Sequence, residues 1–234
     1  MKFKILISDS MDTIAKDILS KNNIHVDEKV GLSENELADI INEYDALIVR
    51  SATKVTKKII ISGKNLKVIG RAGAGVDNID INEAKKNNIL VMNTPGGNSV
   101  ATAEHTLALL LSLLRKIPYS NNTTHQGKWE KKSIKGRELS GKTVGIIGFG
   151  NVAVKFYELI KGFNTNVLLC SKSFEDRKKD FPEIQNTTFE EILLNSDIIT
   201  FHCKSPSNNK PLITINEIKK MKPNAVLINT ARGN

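Results

Sequence analysis

The stretch V-G-I-I-G-F-G-N-V-A, residues 144–153, joins an apolar run to two closely spaced glycines, and it decides how this chain is expected to fold. The apolar run predicts a strand buried on both faces, and the pattern after Asn151 predicts an amphipathic helix. Gly148 permits a tight turn, and Gly150 leaves room for a pyrophosphate to approach the backbone. In this strand–turn–helix context, the G-x-G-x-x-A spacing predicts a dinucleotide site rather than a turn that serves packing alone.

Short apolar runs alternate with helical patterns on both sides of this loop. Helices are predicted over 10–21 and 34–43, the latter opened by a capping box at Ser33, and a long apolar helix is predicted with Ser99 as its N-cap. This alternation predicts an α/β fold of two doubly wound domains, 1–98 and 99–234. The predicted strands are 3–8, 46–49, 67–70, 89–92, 143–148, 166–171, 197–203 and 225–230.

The composition excludes several classes of protein. A hydrophobic content of 40% fits a globular chain, and the lysines behind the net charge of +9 are scattered, so we expect no nucleic-acid partner. The longest apolar stretch, 106–114, is too short to cross a bilayer, so no membrane partner is expected. Cys170 and Cys203 lie in or beside apolar runs, which indicates small core residues in a reducing compartment, the cytoplasm. No metal site is predicted.

The strand after the glycine loop ends without the acid that usually binds the ribose 2′-hydroxyl of NAD. Ser171 stands in that place, and Lys172 and Ser173 follow it. A missing carboxylate removes repulsion of a 2′-phosphate, and a lysine would attract one, so the hypothesis that NADP is accepted stands beside NAD. The alternative is that Ser171 and Lys172 are ordinary turn residues.

Many sequence blocks in one order extend the evidence beyond the glycine loop. With them the chain resembles the D-isomer-specific 2-hydroxy acid dehydrogenases. The resemblance implies a flavodoxin-like substrate domain and a Rossmann NAD(P)-binding domain, both incomplete at their C-terminal ends, and a homodimer. It also implies hydride transfer between a nicotinamide and C2 of a small 2-hydroxy acid, with 3-phosphoglycerate of serine biosynthesis as the expected substrate. The blocks are 49–56, 66–84, 89–113, 127–150, 196–203 and 221–233.

The resemblance implies residue roles as well. Arg232 would be the catalytic arginine, which grips the substrate's carboxylate and 2-oxygen with its planar fork. Arg50 and Arg71 are the candidates for the substrate's phosphate, the alternative being two surface arginines. The other expected substrate contacts are Ser51, Gly73, Gly75 and Asn98. The expected cofactor contacts are Gly148, Gly150, Asn151, Val152, Ser171, Lys172, Cys203, Thr230, Ala231 and Ala74.

Proton transfer is the step for which the sequence offers no clear residue. In the family, a Glu and a His after the A-R-G motif serve as acid and base, and this sequence reaches Asn234 first. Three interpretations follow: a truncated enzyme with little or no turnover, a nucleotide-binding module without catalysis, or a reductase for glyoxylate or hydroxypyruvate. His105 is expected to be a satisfied core histidine, and His202 a structural or cofactor-side residue rather than a base.

Overall fold

A computed structural model of the chain describes residues 3–204 and 210–233. They divide into two compact units, with the division between Gly97 and Asn98. Each unit contains one parallel β-sheet with helices between its strands. The α/β fold with doubly wound sheets, predicted from the alternation, is therefore confirmed.

The first unit is built on a five-stranded parallel sheet of order β2-β1-β3-β4-β5. This order is that of flavodoxin-like folds, in which ligands bind outside the carboxyl ends of the strands. The short polar strand β2 escaped the sequence analysis because it lies at the sheet edge and has no apolar run. The strands are β1 Lys4–Ile7, β2 His25–Glu28, β3 Ala46–Val49, β4 Val68–Arg71 and β5 Leu90–Asn93.

Three of the four α-helices described in the first unit begin at a residue whose side chain caps them, and one of these caps was predicted from the sequence. The capping box of Ser33 and Glu36 is present, and the helix it opens ends at Ile40 before a short 3-10 turn, Ile41–Glu43. Asp12 and Asp80 cap two more helices. Leu6, Leu47 and Ile69 from adjacent strands form the centre of the core. The helices are α1 Thr13–Lys21, α2 Glu34–Ile40, α3 Lys57–Ser62 and α4 Ile81–Lys86.

The second unit contains a four-stranded parallel sheet of order β7-β6-β8-β9. The prediction of Ser99 as a helix N-cap is wrong by one residue, since Asn98 is the cap and makes no side-chain capping bond. Helix α6 was missed because its sequence is rich in Asn and Thr, which are weak helix formers. The elements are α5 Ser99–Leu114, α6 Ile117–His125, β6 Thr143–Ile147, α7 Asn151–Ile160, β7 Asn166–Cys170, α8 Phe189–Asn195, β8 Ile198–Phe201, α9 Ile215–Lys220 and β9 Val226–Asn229.

The central strand β6 directs the chain to the carboxyl edge of the second sheet. It pairs with β7 on one side and with β8 on the other, so its carboxyl end lies between the ends of both neighbours. Ala153, Phe156 and Ile160 of α7 are fully buried in one apolar cluster with Val144 and Ile146 of β6. Among the described residues, no helix is long and apolar enough to span a membrane.

Candidate functional site

The turn after β6 requires glycine at its first position. Gly148 has a φ of +87°, and a Cβ built on it would lie 2.9 Å from the backbone nitrogen, Cα and Cβ of Cys203. The Gly148 N–H donates a hydrogen bond of 2.8 Å to the carbonyl of Cys170. Both predicted core cysteines therefore flank this turn, half-buried and with free thiols. Burial raises the pKa of the Cys203 thiol, so at neutral pH it is an uncharged packing group.

The second glycine presents an open face. A Cβ built on Gly150 would meet no atom within 4 Å, and Gly150 caps helix α7 without any side-chain hydrogen bond. The first N–H groups of α7, from Asn151, Val152 and Ala153, are therefore not covered by a capping side chain. Such a helix start attracts an anion through its free N–H groups and its dipole. The turn thus fits the pyrophosphate of a dinucleotide.

Beyond β7 the chain enters a polar turn. The Ser171 N–H donates to Oδ1 of Asn186 at 2.9 Å, and the Asn186 amide returns a bond to the Ser171 carbonyl. Arg177 donates from Nη2 to Oδ1 of Asn151 at 2.7 Å, so a cation from this turn reaches the start of α7. Arg177 is not among the residues predicted from the sequence, because nothing in its spacing from Ser171 indicates that the turn folds back.

Asn229, the last residue of β9, holds the backbone of the loop that carries Arg232. Asn229 donates from Nδ2 to the Arg232 carbonyl at 2.7 Å and accepts the Ala231 N–H at 3.0 Å. The hydroxyl of Thr230 lies 2.8 Å from that of Thr106 in α5. Arg232 itself is exposed. The sequence analysis named Thr230, Ala231 and Arg232 but not Asn229, whose role as a local clamp is typical of Asn in turns.

A cavity of about 610 Å³ lies beside this loop and brings together residues of α5 and the Arg232 segment. Its lining includes Asn98, His105, Thr230 and Arg232. The prediction of His105 as a core histidine is wrong, since the side chain is exposed. The helix pattern misled because α5 is apolar on nearly every side, so its composition does not identify the buried face.

His202 lies one residue before Cys203, at the end of β8. Its Nε2 is 3.1 Å from the hydroxyl of Thr200, and its ring is 5.5 Å from that of Phe156. Burial lowers the pKa of His202 to about 4, so the ring is neutral near pH 7. These contacts agree with a structural histidine in the segment that directly follows β8.

In the first unit, a buried carboxylate organises the loop after β3. Asp9 is 5% exposed and accepts hydrogen bonds from the Arg50 N–H at 2.6 Å and from the Thr53 hydroxyl at 2.6 Å. Burial alone would raise the pKa of Asp9, but the bonds from Thr53 and Arg50 outweigh it and lower the pKa. Asp9, Arg50 and Ser51 line a cavity of about 630 Å³. Asp9 is not among the site residues predicted from the sequence.

Asn78 links the two candidate phosphate-binding arginines. Its amide donates to the Arg50 carbonyl at 2.7 Å, and its oxygen accepts from Nε of Arg71 at 3.1 Å. A Cβ on Gly73 would lie 2.1 Å from Nη1 of Arg71, so this guanidinium lies directly over the glycine turn that follows β4. Arg71 thus faces the backbone of Gly73, while the Arg50 guanidinium bonds the carbonyl of Ser10 at 3.0 Å.

Comparison with known proteins identifies the family. Residues 107–234 match the family model described as D-isomer specific 2-hydroxyacid dehydrogenase, NAD binding domain. The chain belongs to this family. The glycine turn, the polar turn after β7 and the Arg232 loop all fall inside the matched NAD-binding domain. The resemblance on which the sequence analysis relied is thereby confirmed.

Individual relatives agree with this assignment. The chain is 40% identical over 230 residues to D-3-phosphoglycerate dehydrogenase of Archaeoglobus fulgidus, covering 98% of this chain and 44% of that protein. It is 38% identical to hydroxypyruvate reductase of Thermotoga maritima, covering 99% of this chain and 75% of that protein. The solved structure of NAD+-bound 3-phosphoglycerate dehydrogenase of Entamoeba histolytica matches with a TM-score of 0.81 at 28% identity, over 99% of this chain and 72% of that one. The chain thus spans less than half the length of the Archaeoglobus relative.

Proposed function

We propose that this chain forms the cofactor-binding and substrate-holding parts of an NAD(P)-dependent D-2-hydroxy acid dehydrogenase that acts on 3-phosphoglycerate, at the entry to serine biosynthesis. The observation that carries the proposal is the position of Arg232. It follows β9 at the carboxyl edge of the same sheet whose first strand ends in the open glycine turn. A substrate-binding cation and a dinucleotide-binding turn on one sheet edge are what this reaction requires.

In this proposal, Arg232 holds the substrate during hydride transfer. Its planar guanidinium binds the carboxylate and the 2-oxygen through two parallel hydrogen bonds and stays charged at every relevant pH. A bound nicotinamide would supply the acceptor or donor for the hydride on C2 of the substrate. Asn229 fixes the backbone on both sides of Ala231, which limits the freedom of the arginine. This orientation lowers the entropy lost on reaching the reactive geometry.

The cofactor would lie along the carboxyl edge of the second sheet. Gly148 and Gly150 shape the turn, and the N–H groups of Asn151 and Val152 face the pyrophosphate. Additional cofactor contacts proposed here are Ser171, Lys172, Cys203, Thr230, Ala231 and Ala74.

The first unit supplies the proposed contacts to the rest of the substrate. Arg50 and Arg71, joined through Asn78, would bind the phosphate, with Ser51 beside them. Gly73 and Gly75 would hold the carboxylate by backbone N–H groups. Asn98, in the second unit, would line the substrate site as well.

A second candidate is a reductase for hydroxypyruvate or glyoxylate, which the 38% identity to the Thermotoga hydroxypyruvate reductase favours. The two candidates differ in whether the protein recognises a phosphate group on its substrate. A polypeptide of these 234 residues alone is expected to turn over slowly under either candidate. The reason for this expectation is that none of these 234 residues is matched to the Glu and His that the family resemblance implies. If this polypeptide has no turnover at all, it would act only as a nucleotide-binding module.

Ligand binding tests the proposal without relying on turnover. The NAD+-loaded chain would be titrated with 3-phosphoglycerate and D-glycerate, and the NADH-loaded chain with hydroxypyruvate, by calorimetry, with hydride transfer followed by nicotinamide absorbance. We expect 3-phosphoglycerate to bind about tenfold more tightly than D-glycerate, and Arg71→Gln to remove that difference. Arg232→Lys, which keeps the charge but loses the fork, should weaken all three ligands. Equal affinity for phosphorylated and unphosphorylated acids would favour the reductase, and rapid turnover would contradict the expected low activity.

We further propose that the protein forms a homodimer through α5, α6 and the segment after them. Leu109, Leu113 and Ile117 are exposed at intervals of four residues, and Trp129 is 83% exposed. An apolar surface of this kind is typical of an interface between subunits. Sedimentation of the wild-type chain and of Leu113→Glu tests this, because the added charge in the interface should yield monomers.

The free thiols of Cys170 and Cys203 support a reducing compartment such as the cytoplasm.

A further inference from the structure

The turn after β7, residues 171–178, presents hydroxyls and cations where a dinucleotide's adenosine ribose would lie. The hydroxyls of Ser171 and Ser173 are 3.4 Å apart, and Lys172 between them is exposed. Asn186 occupies the backbone N–H and carbonyl of Ser171, so the Ser171 hydroxyl is not needed to satisfy its own backbone. Two hydroxyls and an ammonium are therefore gathered at the end of the strand.

Arg177 is held in place from two directions. Its N–H donates to the Phe174 carbonyl at 2.8 Å, and Phe174 is buried, with its ring 5.6 Å from that of Phe149 in the glycine turn. At the other end, Nη2 bonds Oδ1 of Asn151. A guanidinium has five N–H donors, and this bond occupies one of them. The other donors belong to a half-buried side chain whose freedom is restricted by its bond to the start of α7.

Charge balance favours an anion at this place. In the described ranges, 3–204 and 210–233, neither Lys172 nor Arg177 forms an ion pair with a carboxylate. Glu175 of the same turn pairs with Lys178 at 3.4 Å, and Asp176 is exposed. The dipole of α7 adds positive potential at its start. A carboxylate at residue 171 would favour a ribose diol and repel a phosphate, whereas the serine found there does neither.

We propose that Ser171, Lys172, Ser173 and Arg177 bind the 2′-phosphate of the adenosine ribose, so that the chain prefers a dinucleotide phosphorylated at this position. Asn151 acts as a positioning residue that holds the guanidinium. The inference rests on the cofactor-binding part of the proposed function and is independent of the substrate. It adds a binding preference that the glycine turn cannot supply, because the pyrophosphate is common to both forms of the cofactor.

Titration of the 234-residue chain with NADPH and with NADH tests the preference by affinity alone. We expect NADPH to bind about tenfold or more tightly than NADH. Arg177→Gln and Lys172→Gln should each lower the NADPH affinity more than the NADH affinity and so remove most of the difference. Ser171→Asp should reverse the order. Lys178→Gln is the matched control, since Lys178 lies in the same turn but pairs with Glu175.

The titration results that would contradict the 2′-phosphate site can be told apart from those that would contradict the dinucleotide site. Equal affinities, or tighter binding of NADH, would overturn the 2′-phosphate site and leave the dinucleotide site standing. An Arg177→Gln chain that loses both ligands equally would assign Arg177 to the pyrophosphate and overturn its role here. If neither dinucleotide binds to a chain with a normal thermal transition, the cofactor assignment of the proposed function falls together with this inference.

Discussion

The hydroxyl of Thr106 in helix α5 lies 2.8 Å from the hydroxyl of Thr230, two residues before Arg232. Thr106 is fully buried and donates its single hydroxyl hydrogen to the Thr102 carbonyl at 2.8 Å. It therefore accepts from Thr230, and the direction of the bond is fixed. One buried oxygen on α5 thus fastens the loop that presents the proposed catalytic arginine.

Replacing Thr106 with valine keeps the shape of the side chain but removes this acceptor. The unfolding free energy should fall by about 1 kcal/mol, because the Thr230 hydroxyl loses its partner. Binding of 3-phosphoglycerate to the NAD+-loaded chain should weaken about threefold to tenfold as the Arg232 loop loosens. Calorimetry and urea unfolding measure the two effects. Thr106→Ser keeps the oxygen and should resemble the wild type; equal losses in both variants would contradict the role of this bond.

Gly148 and Gly150 form a matched pair. Substitution by alanine should lower the stability at Gly148 and the affinity for the dinucleotide at Gly150. Gly148→Ala forces a side chain into a positive φ and against Cys203, so the unfolding free energy should fall by about 1–3 kcal/mol. Gly150→Ala meets open space at a φ of −80°, so stability should change little. Its Cβ would instead occupy the face proposed for the pyrophosphate, and NADH affinity should fall about tenfold or more. An alanine at Gly150 that binds NADH normally would show that the pyrophosphate does not approach there.

The sequence predicted the fold well because strand burial and glycine chemistry are local signals. The apolar runs of β1, β3, β6 and β8 mark strands covered on both faces, and Gly148 marks the turn between β6 and α7. Where the local signal was weak, prediction failed. The edge strand β2 lacks an apolar run, and α5 is apolar on so many sides that His105 was assigned to the core.

Residues that act through contacts with distant parts of the chain could not be predicted from the sequence. Asp9 organises residues 50–53 from more than 40 positions away, and Arg177 bonds Asn151, which lies 26 positions before it in the chain. Neither pairing has a spacing that helix or strand periodicity would reveal. Arg232 was predictable because its motif is contiguous in the chain, whereas its supports at Thr106 and Asn229 were not.

Asp9→Asn tests whether the buried carboxylate holds the loop of Arg50. An amide presents donors toward the N–H groups of Arg50 and Thr53, so the unfolding free energy should fall by about 1–3 kcal/mol. Amide hydrogen exchange at Arg50 and Thr53 should accelerate, and 3-phosphoglycerate should bind more weakly. Because the folded pKa of Asp9 is lowered, its contribution is present above the ordinary value of 3.8 and is lost as pH falls below it. Asp39→Asn, an exposed site, is the control, and unchanged exchange at Arg50 would refute the link.

His202 should make the second unit sensitive to mild acid. Its folded pKa of about 4 lies below the ordinary 6.5, so the unfolded chain binds the proton more readily. Stability is therefore intact above pH 6.5 and falls as the pH drops toward 4, by about 2 kcal/mol between pH 7 and 5. Carboxylates with lowered pKa values lose their contributions only at still lower pH. Urea unfolding followed by circular dichroism at several pH values measures this loss. His202→Gln should flatten the profile over this range, while His125→Gln, at an exposed site on α6, should keep it. Parallel profiles for wild type and His202→Gln would place the acid sensitivity elsewhere.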